Sequence, residues 1–180
     1  NYIDVANASG WSPRAGDAIV LGQASVGTNC TLHTIQSVSG NRLTLTSTLG
    51  RAVTIGDPVG LLSRNIALIG ANTSSTRTFG SGSAASITVS GVEFRNWQFV
   101  LYNYHNGSNA VKPLTYCTAR NTSSYNVFAT GVGMTADKCV FYRMTWGSGC
   151  SHVLRRSMAF YNGLAGTGHI VQDTVVANCS

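Results

Sequence analysis

Charge is what this 180-residue sequence has least of: 10% of its residues are Asp, Glu, Lys or Arg, and only six are acids. Proline occurs three times. No segment of useful length carries the 3.6-residue apolar period of an amphipathic helix, which points to an all-β chain. No stretch approaches the roughly 18 apolar residues of a membrane-spanning helix, so membrane insertion is not expected. Neither CxxC nor a Cys/His ligand spacing occurs, so no metal site is expected. A phosphate loop and a dinucleotide fingerprint are also missing, and no cofactor is expected.

The shortage of acids bears on catalysis. Glycoside hydrolysis needs two facing carboxylates about 5 to 9.5 Å apart. The acids are Asp4, Asp17, Asp57, Glu93, Asp137 and Asp173. Asp17 and Asp57 flank turns and read as turn formers. Asp137 and Asp173 lie just before strands two repeats apart, roughly 10 Å by strand spacing, which is marginal for an inverting pair. No catalytic residue is assigned, and the chain reads more readily as a non-enzyme.

What is present is repetition. Val92-Glu93-Phe94-Arg95-Asn96 returns as Cys117-Thr118-Ala119-Arg120-Asn121, Cys139-Val140-Phe141-Tyr142-Arg143, Met158-Ala159-Phe160-Tyr161-Asn162 and Thr174-Val175-Val176-Ala177-Asn178. Anchored on the third residue, the steps are 25, 22, 19 and 16 residues. Period-2 strands at such intervals leave no room for crossover helices and predict stacked coils of a right-handed parallel β-helix. Each coil buries a core that none could bury alone. The terminal Asn of four copies predicts a side-chain amide ladder at one corner.

Ahead of the repeats, Ala18-Ile19-Val20-Leu21 reads as a strand, residues 31–47 as a β-hairpin turning at Ser39-Gly40-Asn41, and Ala52-Val53-Thr54-Ile55 as a further strand. The predicted organisation is a small β meander over residues 1–59, followed by β-helix coils over 60–180. Ile66 and Leu68 open the first coil. Residues 71–84 and 97–113 read as long loops, the second carrying His105 among aromatics. The five cysteines are an odd number, so at least one is free or pairs between chains. Cys117 and Cys139 occupy equivalent places in adjacent coils, as a column of free thiols or a bridge.

Trp11 and Gly16-Asp17-Ala18-Ile19-Val20, then Ile35-Gln36-Ser37-Val38-Ser39-Gly40-Asn41 and Leu43-Thr44-Leu45, then residues 59–70 resemble one extracellular family. It is the cell-surface hyaluronidases and fibrocystin-like proteins, which carry a G8 domain before a right-handed parallel β-helix. Residues 60–70 are densest in matches. The resemblance implies the β-helix fold and, as an activity, glycan cleavage. The family's His-x-His pair corresponds here to Asn103-Tyr104-His105, so His105 alone stands at that place. Phage tail and bacterial surface β-helices resemble the chain in the same general way.

Strand alternation assigns faces. With first and third places inward, the fourth places Arg95, Arg120, Tyr142 and Tyr161 form an outward basic and aromatic stripe. With His105, these are the candidate glycan-binding residues, since Arg forks carboxylates and the net charge is +6. The dispersed Arg residues make nucleic acid an unexpected partner. The second places Val140, Ala159 and Val175 predict a covered interface, with a neighbouring subunit or with another part of the same protein.

Absent start and end caps predict a segment of a larger or assembled protein. The expected function is a structural or adhesion module of an extracellular, cell-surface or virion fibre, self-associating and contacting anionic polysaccharide. The alternative is a hyaluronidase-like polysaccharide depolymerase.

Overall fold

A computed structural model of the chain describes residues 1–23, 30–70, 88–96, 101–102, 112–120, 128–129, 134–142, 145–146, 153–161, 163–164 and 170–178. Among them every regular element is a strand, and no helix is long and apolar enough to cross a membrane.

The first five strands are β1 (Tyr2–Asp4), β2 (Ala18–Leu21), β3 (Thr31–Ser39), β4 (Arg42–Leu45) and β5 (Val59–Leu61). They form an antiparallel sheet in the order β1-β4-β3-β2-β5. The expected hairpin is β3 and β4, closed at Gly40-Asn41 and bulged between Ile35 and Ser37. β5 runs to Leu61, so the meander extends across the 59/60 boundary. The strand expected at Ala52-Val53-Thr54-Ile55 does not form. The Asp57 carboxylate accepts the Thr54 amide at 3.1 Å and its hydroxyl at 3.2 Å, folding this segment into a turn that leaves Ile55 fully exposed.

β2 is apolar at every position because both its faces are covered. Ile19 joins Ile3, Ile35, Leu43 and Leu45 in the core of the meander. Ala18 and Val20 turn the other way, onto the rest of the chain.

From Ile66 onward every pairing among the described residues is parallel. A six-stranded sheet contains β6 (Ile66–Ile69), β8 (Val92–Arg95), β11 (Thr118–Arg120), β14 (Val140–Tyr142), β17 (Met158–Tyr161) and β20 (Val175–Asn178), neighbours in that order. A five-stranded sheet contains β7 (Val89–Ser90), β10 (Lys112–Thr115), β13 (Met134–Asp137), β16 (Val153–Arg155) and β19 (Ile170–Gln172). Two smaller parallel pairs join β9 (Leu101–Tyr102) to β12 (Phe128–Ala129) and β15 (Thr145–Trp146) to β18 (Gly163–Leu164).

The two large sheets meet at a bend built the same way in each layer. Gly91, Tyr116, Lys138, Arg156 and Asp173 all take left-handed φ values between 47° and 69°. Four of these five are not glycine, so the conformation costs roughly 1 kcal/mol or more at each. Bonds between layers offset that cost. The amides of Gly91, Tyr116, Lys138 and Arg156 donate to the carbonyls of Thr115, Asp137, Arg155 and Gln172 at 3.0 to 3.1 Å.

Between the sheets the core follows a size rule. Leu114 shares a layer with Ala119, Ala136 with Phe141, and Leu154 with Ala159, and all six are at most 2% exposed. One large and one small residue per layer keep the filled volume nearly constant while bulk alternates between the two walls. Cys117 and Cys139 occupy the adjoining column as free, buried thiols, and Ser157 continues it. Cys30, outside this core, is disulfide-bonded.

The register corrects one repeat. Phe94 pairs with Ala119 and Ala119 with Phe141 as predicted, but Phe141 then stands beside Ala159, and Ala159 beside Val176. The fourth copy is therefore Ser157-Met158-Ala159-Phe160-Tyr161, one residue earlier. Its aromatic suggested the wrong frame, because Leu154 already supplies the bulk of that layer and the inward place takes Ala159. Asn178 consequently pairs with Tyr161 and not with Asn162. Of the amide ladder, Asn96 is described, at φ 58°; Asn121 and Asn162 lie outside the described residues, as do residues 71–84, His105 and most of 97–113.

Candidate functional site: a cleft between meander and parallel stack

From β8 to β17 the outer face of the six-stranded sheet is covered by the chain itself. Residues 60, 62 and 64 descend across successive strands, each meeting a different outward second-place residue. The Arg64 amide donates to Glu93 Oε2 at 3.3 Å, Thr118 Oγ1 donates to the Leu62 carbonyl, and Gly60 faces Val140. This explains why that column changes from polar to apolar along the chain: its first members meet backbone polar groups, and its later ones meet the apolar side of the meander. Ala18, Val20 and Leu62 close with Tyr142, Phe160 and Ala177 into one buried cluster, with Val140 and Met158 packed at its margin. Close approach requires glycine at two points. A Cβ on Gly60 would lie 2.7 Å from Val140 Cγ1, and one on Gly22 would lie 2.6 Å from a Phe160 ring carbon.

This packing relocates the predicted stripe. Arg95 and Arg120 come together, but on a buried carboxylate. Arg95 donates to Glu93 from Nε at 2.6 Å and from Nη2 at 2.7 Å, and Arg120 Nε donates at 2.6 Å. The Glu93 side chain is wholly buried, while Arg95 and Arg120 keep 31% and 14% side-chain exposure. Burial alone would push the Glu93 carboxyl up; the hydrogen bonds and charges of the two guanidinium groups outweigh it and hold the group below the ordinary glutamate range. Tyr142 is 4% exposed beneath the meander. Tyr161 leaves the stripe through the register correction, its place being taken by buried Phe160. His105 lies outside the described residues.

The predicted interface residues also separate. Val140 is half-buried against Gly60, Ala159 is 1% exposed in the interior, and Val175 is 40% exposed. Ala159 moves inward for the same reason that its repeat slips by one. Asp137 and Asp173 fall in different columns. Asp137 closes β13 in register with Arg155 and Gln172, whereas Asp173 is itself the bend residue. Arg156 donates to both oxygens of Asp137, and the interaction lowers that carboxyl. Asp17 accepts the Arg14 amide at 2.8 Å, the turn role expected of it. Among the described residues no group of three or more His, Cys, Asp or Glu could hold a metal ion.

A cleft of about 860 Å³ lies between the stack and the meander. Its apolar floor is Gly60, Val140 and Met158, and its walls carry Trp11, Tyr116, Arg14, Arg64 and Lys138. Trp11 is fixed by its indole N–H, which donates to the Asn7 carbonyl at 2.6 Å. Tyr116, in the left-handed bend, is 50% exposed. Lys138 sits one layer on, its ammonium 4.9 Å from the Tyr116 ring centre and donating to the Tyr116 hydroxyl at 2.6 Å. Arg64 donates to the backbone carbonyls of Tyr116, Leu61 and Ser63, and burial draws its guanidinium below the ordinary value. Arg14 donates to Asn65 Oδ1 at 2.8 Å.

Sequence reasoning missed this site because its residues come from distant segments, and its aromatic and basic members sit outside the fivefold repeat. A signal was present all the same: the residue before each repeat, Gly91, Tyr116, Lys138, Arg156 and Asp173, forms the bend column. Comparisons with protein-family models, with curated proteins and with solved structures find no match to this chain.

Proposed function

We propose that this chain is a structural and adhesion module of an extracellular, cell-surface or virion assembly, built as a right-handed parallel β-helix with the meander seated on one face. The in-register parallel sheets and their repeated bend support the β-helix reading, as does the resemblance to the cell-surface hyaluronidase and fibrocystin-like family. One observation carries the assembly reading: the strands at both ends of the stack expose branched apolar side chains. Ile66 and Ile69 on β6 are 58% and 59% exposed. At the other end Ile170, Val171, Val175 and Val176 range from 40% to 50%. Strand edges with such side chains favour pairing with further strands. Two unlike ends joining head to tail make a contact that need not close into a ring.

Light scattering across a concentration series, with negative-stain imaging, tests this. Mass rising with concentration, reduced by Val175→Lys, supports it. A monomer at every concentration overturns it. Among the described residues nothing favours the depolymerase alternative over this reading, because Asp137 is held by Arg156.

A further inference from the structure

We propose that the cleft between Trp11 and Tyr116 binds a carboxylate-bearing saccharide, with Lys138 and Arg64 facing the carboxylate and the two rings flanking the sugar. The proposal gives the adhesion reading a particular site. It does not depend on self-association, which uses the ends of the stack, so either idea can fail alone.

The charge argument comes first. The cleft carries three cations, Arg14, Arg64 and Lys138, against one acid, Asp17. The Asp17 carboxylate already accepts the Arg14 amide at 2.8 Å and lies 4.0 Å from the Arg14 guanidinium. Among the described residues Arg64 and Lys138 make no ion pair: Arg64 is held by neutral carbonyls, and Lys138 by a phenol. Elsewhere in the stack arginines do meet acids, with Arg95 and Arg120 on Glu93 and Arg156 on Asp137. Two cations of the cleft therefore have no carboxylate partner among the described residues, and an anion entering it meets fixed cations without displacing a carboxylate.

The shape argument selects a sugar. Trp11 and Tyr116 offer aromatic surface above an apolar floor, and the Ser63 and Asn65 side chains supply polar partners in the walls. A flat apolar face with a few convergent polar groups suits a pyranose, which has C–H faces and a hydroxyl rim. The volume falls within the range of about 300 to 1,000 Å³ usual for small-molecule clefts. Gly91, Tyr116 and Lys138, successive members of the bend column, all line the cleft, one strand spacing apart, so neighbouring sugars of a chain can meet successive layers.

The test is calorimetric titration of the full chain with oligogalacturonate, oligomannuronate and sialyllactose, alongside methyl-esterified oligogalacturonate and dextran sulfate. Tyr116→Asn and Lys138→Asn are the informative variants, because Asn tolerates left-handed φ and leaves the bend intact. The expected result is binding of at least one carboxylated saccharide. Each variant should weaken it about tenfold or more, with an unchanged melting temperature. Methyl esterification should abolish binding of oligogalacturonate if that is the saccharide bound. Absence of binding to all three acidic saccharides overturns the proposal. Variants that bind like wild type overturn it too, as does equal affinity for dextran sulfate, which would mark a general polyanion surface.

Discussion

The meander and the parallel stack solve the same packing problem in different ways. In the meander, aliphatic residues from four antiparallel strands converge on one cluster: Ile3, Ile19, Ile35, Leu43 and Leu45. In the stack the core is a set of columns, and each layer must accommodate what its facing strand supplies. Leu114 opposite Ala119, Ala136 opposite Phe141 and Leu154 opposite Ala159 are that accommodation. A convergent core tolerates exchange among similar aliphatics, whereas a column fixes size at each height.

The largest expected effect breaks a column. Phe141→Ala should cost about 4 kcal/mol in denaturant unfolding, because Ala136 opposite cannot fill the space. Leu154→Ala with Ala159→Leu sharpens the same point: the double variant should be clearly more stable than the two single costs added together, since the layer regains its volume. Simple additivity would show that the size rule has no energetic content.

Next comes the buried charge. Glu93→Gln leaves Arg95 and Arg120 facing a neutral amide and should cost about 3 kcal/mol, at the low end for a broken buried pair because Arg95 reaches solvent. The pH dependence has a definite sign. Because the folded carboxyl is held below its ordinary value of 4.5, the stabilisation is complete above that value. It is lost as pH falls through the depressed folded value, where the native state too takes up the proton. Between the ordinary and the depressed value, stability should therefore fall more steeply with pH in wild type than in Glu93→Gln.

The smallest effect belongs to the meander surface. Arg42 donates to Asp4 at 2.8 and 2.9 Å, but both side chains are more than half exposed. Asp4→Asn should leave the melting temperature unchanged within error in 0.15 M salt.

Much of this fold was legible in the sequence, and for definable reasons. The hairpin at 31–47 carried its own turn, and the first three repeats kept inward residues at fixed places. The fourth repeat misled because Met158-Ala159-Phe160 and Ser157-Met158-Ala159 both satisfy a small-or-apolar pattern, and only the facing Leu154 decides between them. Ala52-Val53-Thr54-Ile55 looked like a strand until the Asp57 carboxylate captured its backbone. The stripe of Arg95, Arg120 and Tyr142 was correctly aligned among its own members but read as solvent-facing, because nothing local announces that residues 60–64 and β2 lie over it. The cleft depends on that same covering and was illegible for the same reason.

The covering is the central claim, since it decides which surfaces remain for partners. It is tested most directly by a double-mutant cycle between Gly60→Ala and Val140→Ala. The new methyl on residue 60 should collide with Val140, so Gly60→Ala should be destabilising in wild type and much milder once Val140 is cut back. A coupling of about 1 kcal/mol or more is predicted. Additive costs would contradict the account, because the two residues would then not face each other across the interface.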